Sequence, residues 1–254
     1  MAGSNEADVG KAPLFLKTLH ALFPGSRPLD DYIQLTCREL NQFGFDYDNT
    51  LGVVAACRDE IAEPLFSEVV KNWGKTFDFR SLGGFLLAGK SGIATVLSHA
   101  PFADGKRRFV FYAMPHVAIS QEGEVGTVFR EGIGEVSHAC GSLSMILHEL
   151  RDGKINFQID LDDIEQCIVR QKILSALRYG EHPDHAGITK LACTVITDDL
   201  QRLHRSIDYG VCDHASFTGV LIHGPGDTHW VCPHHCHVTK SGTVIPMSLP
   251  AVSR

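Results

Sequence analysis

Apolar residues along this chain switch repeatedly between helical spacing and short unbroken runs, which predicts alternating helices and strands. Leu14 to Phe23 keeps helical spacing and stops before Pro24-Gly25. Pro28-Leu29-Asp30-Asp31 opens a second amphipathic helix reaching about Phe43, with acids in its first turn where they complement the helix dipole. After Asp46-Tyr47-Asp48-Asn49, the run Leu51-Gly52-Val53-Val54-Ala55-Ala56 reads as a strand buried on both faces, and helical spacing returns from Asp59 to about Trp73. Two glycine turns flank Phe85-Leu86-Leu87-Ala88, and a helix follows from about Ile93 to His99. Arg108 to Met114 is rich in β-formers and ends at Pro115-His116. Further helices are expected over Ser142 to Leu150, Asp160 to Tyr179 with Asp160 as cap, and Leu200 to Ile207. Phe217 to Leu249 reads as two or three strands separated by Gly224-Pro225-Gly226 and Ser241-Gly242.

Strands alternating with helices predict an α/β fold: a single domain with a mainly parallel central sheet flanked by helices. No linker or repeat divides the chain, so the domain is assigned residues 12–254 behind a flexible N-terminus, residues 1–11. In such sheets functional groups gather beyond the carboxyl ends of the strands. Cys57 and His116 both stand at such ends.

Charge and composition narrow the picture. A formal net charge of −7 over 254 residues argues against a nucleic-acid surface, and Lys106-Arg107-Arg108 is the longest basic cluster. No apolar run approaches the ~18 residues of a membrane span. Met1 to Lys11 has neither a signal-peptide core nor the acid-poor character of a transit peptide, since Glu6 and Asp8 sit within it. The expectation is a protein that stays where it is made, or one whose targeting segment is absent from this chain.

The 14 His and 8 Cys are a surplus of possible metal ligands. They are densest near the end, in Cys212-Asp213-His214, His229 and Cys232-Pro233-His234-His235-Cys236-His237. Strands there would send alternate side chains to opposite faces, which scatters ligands rather than converging them. Cys37, Cys167 and Cys193 lie in apolar periodic segments and are assigned to core packing.

Two other cysteines stand at junctions. Cys57-Arg58-Asp59-Glu60 follows a strand and opens a helix, where Arg58 and the helix N-terminus favour a thiolate. The competing reading is a buried Cys before a capping Asp. Ser137-His138-Ala139-Cys140-Gly141-Ser142 places a second Cys at a helix start, and His116 lies between the two. Two thiolates and one imidazole leave a fourth zinc corner for water, the layout of a catalytic rather than a structural site. Gly84 to Ser91 also spells a phosphate-loop pattern. Its preceding Arg80-Ser81-Leu82-Gly83 is a poor strand, however, and its interior is too apolar for a phosphate cradle.

A Cys followed two positions on by Asp, then a distant His and a Cys-Gly pair, resembles the β-carbonic anhydrases. More closely, Ala56-Cys57-Arg58-Asp59-Glu60, Ala88-Gly89-Lys90-Ser91-Gly92, Phe111-Tyr112-Ala113-Met114-Pro115-His116-Val117-Ala118-Ile119 and Ala139-Cys140-Gly141 resemble the LCIB family, named for limiting-carbon-dioxide-inducible protein B. The motifs are clear from about Leu29 to Leu150 and weaker into the tail.

The resemblance implies a β-carbonic-anhydrase-like fold, with one departure from the motif: Ile61 stands where the β-type Cys-x-Asp-x-Arg motif has Arg. It implies Zn2+ on Cys57, His116 and Cys140, with His138 as the rival to His116, and Asp59 as the residue that orients zinc-bound hydroxide. Because of Ile61, the guanidinium partner of Asp59 must come from elsewhere; Arg58 is expected to supply it, with Arg80 as the non-local alternative. The implied reaction is reversible hydration of carbon dioxide to bicarbonate, in a homodimer of the chloroplast stroma serving a carbon dioxide concentrating mechanism. The alternative is a catalytically weak zinc-binding member acting through protein partners. Phe85, Leu87 and Phe102 are candidate pocket linings, and His99 a candidate proton relay or a satisfied surface side chain.

Overall fold

A computed structural model describes residues 12–130, 132 and 136–249. The expected flexible segment, residues 1–11, lies outside the described residues. Among them, the main sheet orders its strands Arg27–Pro28, Thr228–Lys240, Cys212–Gly224, Lys106–Ala113, Leu51–Ala55, Thr76–Asp78. The four strands from Cys212–Gly224 to Thr76–Asp78 run parallel, and Thr228–Lys240 returns antiparallel beside them. The expected α/β architecture with a parallel centre is therefore present.

Local chemistry explains the centre. All five residues of Leu51–Ala55 are buried, as a parallel strand covered on both faces requires. Gly52 lets the helix Glu63–Trp73 approach closely; a Cβ there would stand 2.7 Å from the Val69 side chain. On the neighbouring strand, the buried Tyr112 hydroxyl lies 2.7 Å from Thr36 Oγ1 and accepts from Trp73 Nε1 at 3.1 Å. That satisfies polar atoms the core would otherwise strand.

Most expected helices appear with shifted ends: Ala12–Leu22, Leu29–Asn41, Gly89–His99 and Gly141–Asp152. The segment expected from Asp160 begins at Ile164 and ends at Ala176. The short helix expected over Leu200 to Ile207 is the end of a 21-residue helix, His185–Arg205, capped by the Asp184 carboxylate, which accepts from Gly187 N. Its buried stripe includes Ala186, Thr189, Ala192, Cys193 and Thr197. Mixed with Ile188, Ile196, Leu200 and Leu203 on the same buried face, these small and hydroxylated side chains dilute the hydropathic contrast of the helix. The tail forms three strands, Cys212–Gly224, Thr228–Lys240 and Thr243–Pro246, the first starting earlier than expected.

The phosphate-loop pattern is a packing device. Phe85 and Leu86 are buried, and Gly84 holds φ +79° where a Cβ would meet the Met114 carbonyl oxygen at 2.6 Å. This turn therefore packs directly beneath the segment leading into His116. Of the other candidates, Phe85 is core, while Phe102 is 67% exposed and pairs with Arg107 at the opposite end of its neighbour strand from His116. His99 is exposed, its Nδ1 2.8 Å from the Thr95 carbonyl oxygen, so it is a satisfied surface side chain.

Candidate metal centre

Three loops deliver three ligands to one point. Cys57 follows the Leu51–Ala55 strand. His116 opens the short strand His116–Ala118, which resumes after Met114-Pro115 and pairs parallel with Leu221–His223. Cys140 is the residue preceding the helix Gly141–Asp152. All three are buried, and their ligand atoms lie within 4.8 Å of one another. No other such cluster of His, Cys, Asp or Glu occurs among the described residues.

The donor set fits zinc. Two sulfurs about 2.3 Å from a tetrahedral zinc would stand about 3.8 Å apart, and Cys57 Sγ and Cys140 Sγ are 3.8 Å apart. His116 Nε2 is buried with no hydrogen-bond partner, the state of a nitrogen reserved for a ligand. The sulfurs share protons unequally. The hydrogen bond from the Cys140 thiol favours a thiolate at Cys57, assisted by His116, while that same bond and burial keep the Cys140 proton in place. A divalent cation would displace that last proton.

Asp59 stands beside the cluster, its Oδ2 4.0 Å from His116 Nε2. It also caps the short turn Glu60–Ala62, so the capping reading holds together with the functional one. Its guanidinium partner is Arg130. Arg130 Nη2 donates to both Asp59 oxygens at 2.7 and 2.9 Å, Nε donates to Glu60 at 2.6 Å, and Nη1 donates to Ser137 Oγ at 2.7 Å.

Arg58, the expected partner, points elsewhere. Its Nη2 donates to Glu165 Oε1 at 2.8 Å, and the other Glu165 oxygen accepts from Leu82 N. Adjacency in sequence sends successive side chains apart at this turn, and Arg58 ties down the helix Ile164–Ala176 instead. Arg80, the alternative, pairs with Asp78 and Glu63. His138 is exposed, 3.2 Å from the Gly126 carbonyl oxygen and stacked on His185; it is not in the cluster. Sequence reasoning missed Arg130 because nothing local marks one Arg in a polar loop as the partner of a carboxylate 71 positions away.

His116 has a second neighbour that sequence reasoning missed. Its Nδ1 lies 3.0 Å from His223 Nε2; His223 Nδ1 lies 3.0 Å from His229 Nδ1; and His229 Nε2 lies 3.1 Å from Asp227 Oδ1. Burial pushes the His223 pKa well below the usual imidazole value, with His116, His229 and Arg130 adding to it. A cavity of about 820 Å³, lined in part by Thr127, Phe129, Arg130, His223 and His229, borders these residues.

Comparison with known proteins agrees with this geometry. The family described as limiting CO2-inducible proteins B/C, β-carbonic anhydrases, matches residues 26–240. The crystal structure of the limiting CO2-inducible protein LCIB is similar at 31% identity and TM-score 0.76, covering 91% of this chain and 98% of that one. The structure of PtLCIB4, an LCIB homolog, shares the fold at 23% identity and TM-score 0.81, with the same coverage. No curated protein sequence matches the chain. A family match over most of the chain, with a solved relative above 30% identity along nearly its whole length, places this protein in the carbonic-anhydrase-like LCIB family.

Proposed function

We propose that this protein is a zinc carbonic anhydrase that hydrates carbon dioxide reversibly to bicarbonate. The observation that carries the reading is the Cys57–His116–Cys140 cluster with the Asp59 carboxylate fixed beside it by Arg130. Zinc bound there would act as a Lewis acid that lowers the pKa of its water to about 7. The protein's own groups do the rest. Asp59 accepts the hydrogen bond of the attacking water and so turns an oxygen lone pair toward carbon dioxide. Arg130 occupies both Asp59 oxygens, which holds the carboxylate away from the ligand position. The cavity bordered by Arg130 and His223 offers a passage for a small uncharged substrate and for departing bicarbonate and proton.

Stopped-flow hydration on purified protein, with zinc content measured alongside, tests the proposal. One zinc per chain and hydration well above buffer are expected. Full zinc with no rate above buffer would overturn it in favour of a zinc-holding protein that acts through partners. Replacing Cys57, His116 or Cys140 by Ala should each remove zinc, whereas His138→Ala should retain it.

We also propose a homodimer. Phe157, Ile159 and Leu161 are 71%, 62% and 83% exposed in one short segment, an apolar stretch suited to a second copy. Light scattering on the purified chain checks this, and a monomer at micromolar concentration would refute it. Residence in the chloroplast stroma, within a carbon dioxide concentrating mechanism, is proposed on the family resemblance alone. Among the described residues no helix is long and apolar enough to cross a membrane.

A further inference from the structure

The geometry points to a positioning role for His223: we propose that His223, His229 and Asp227 form a one-directional hydrogen-bond chain that fixes the tautomer of His116 and thereby holds it as a metal ligand. The inference rests on the metal reading above.

The direction follows from both ends independently. At the metal end, His116 Nε2 faces the cluster and has no hydrogen-bond partner, so its lone pair must be free and the ring proton must sit on Nδ1. His116 Nδ1–H then donates to His223 Nε2 across 3.0 Å. A neutral His223 that accepts at Nε2 carries its proton on Nδ1, and donates it to His229 Nδ1 across 3.0 Å. His229, accepting at Nδ1, keeps its proton on Nε2 and donates to Asp227 Oδ1 across 3.1 Å.

At the solvent end, a carboxylate can only accept, so Asp227 alone demands a proton on His229 Nε2. The two demands agree. In the opposite direction His116 would carry a proton on the ligand nitrogen, and His229 would turn a lone pair toward a carboxylate. Of the arrangements of three neutral rings, only this one removes both faults and gives each contact in the chain one donor and one acceptor.

The fold builds this chain from one hairpin and one crossover strand. His223 and His229 are directly opposite in the antiparallel pairing of Cys212–Gly224 with Thr228–Lys240, and opposite residues share a face of the sheet. The His116–Ala118 strand runs parallel to the same segment, with His116 opposite Leu221 and Ala118 opposite His223. A ligating His usually donates its second ring nitrogen to a carboxylate, carbonyl or water, and removing such a partner costs about 10- to 100-fold in metal affinity. Here two further imidazoles connect the ligand to a surface carboxylate, and the His116 and His223 side chains are both buried.

Zinc affinity measured by competition with a chromophoric chelator, on the full chain, tests the chain without using activity. His223→Leu removes the acceptor and should weaken zinc about 10- to 100-fold. His223→Gln places an amide oxygen where Nε2 was and should recover affinity to within about 3-fold of the parent. Asp227→Asn, at a side chain 94% exposed, should change it less than 3-fold. If His223→Leu fails to fold, nitrogen-15 NMR of the zinc-loaded parent decides instead. Protons on Nδ1 of His116, Nδ1 of His223 and Nε2 of His229 support the proposal; a proton on His223 Nε2 overturns it. A folded His223→Leu variant with parental zinc affinity also overturns it. A parent chain that binds no zinc defeats the metal reading instead, which keeps the two failures apart.

Discussion

Replacing Arg130 by Ala isolates the control of Asp59, because Arg130 touches the carboxylate and none of the three candidate ligands by hydrogen bond. The two side chains are only 13% and 17% exposed, so solvent can compensate little. A hydrogen bond to a charged group contributes roughly 1.5–3 kcal/mol. The two bonds at 2.7 and 2.9 Å come from one nitrogen, so they are counted as about one and a half, giving about 3 kcal/mol. If Asp59 orientation is needed in the transition state, that loss corresponds to roughly a 100-fold lower hydration rate. Zinc content should stay at the parental level. Freed of Arg130, Asp59 has only a short way to turn, its Oδ2 being 4.0 Å from the ligand nitrogen of His116. Cobalt substitution should then show a changed visible spectrum as the carboxylate enters the coordination sphere. Arg130→Lys keeps the charge but loses the planar fork that also reaches Glu60 and Ser137, so an intermediate rate is expected. A zinc-loaded Arg130→Ala protein with the parental rate would refute the role of Arg130. Zinc loss in parallel with the rate would show instead that Arg130 holds the site together.

Three further outcomes are expected. Tyr112→Phe removes the hydroxyl shared by Thr36 and Trp73 and should lower stability by about 1–2 kcal/mol in urea unfolding; an unchanged midpoint would contradict the buried network. Gly84→Ala forces a side chain into φ +79° against the Met114 carbonyl and should cost about 1–3 kcal/mol while weakening zinc; if neither moves, the turn does not support His116. Burial holds His214 and His237 neutral in the fold, with pKa values lowered from 6.5 to about 4. The unfolded chain therefore binds more protons between those values, and stability should be full above pH 6.5 and fall as pH drops toward 4. The loss is on the order of 3 kcal/mol per ring. A His214→Phe variant should show a shallower decline between pH 7.5 and 5 than the parent, and equal slopes would exclude this cause.

Much of the site is legible because its ligands stand at element junctions. Cys57 ends a doubly buried strand, Cys140 precedes a helix, and His116 follows a β-rich run broken by Pro115; each position has a local sequence signature. Asp59 is legible twice, as a cap and as part of a motif, and the structure uses it for both. Arg130 carries no such mark, since its importance comes from a loop crossing that no periodicity encodes. The long helix His185–Arg205 is hidden for a different reason. Its inward stripe mixes Ala, Thr and Cys with Ile188, Ile196, Leu200 and Leu203, which dilutes its hydropathic contrast. Phe102 misleads in the opposite sense, being a large aromatic that stays exposed beside Arg107.

The histidine-rich tail shows what alternation decides and what it leaves open. Alternation leaves His214, His235 and His237 bordering one pocket with His204, and no second ligand cluster forms among the described residues. Yet the same alternation brings residues together across a hairpin once its turn is fixed. With Gly224 opposite Thr228, the register places His223 opposite His229, which makes the pair a consequence of the Gly224-Pro225-Gly226 turn. What no hairpin rule supplies is the third partner. His116 reaches His223 only because a strand more than a hundred residues earlier in the chain aligns parallel to the same segment. The surplus of histidine in the tail is thus partly joined to the metal centre without ligating it. A search for ligands by spacing tests only whether side chains can share an ion, whereas His223 and His229 act, on this geometry, through the hydrogen-bonded nitrogen of a side chain that does.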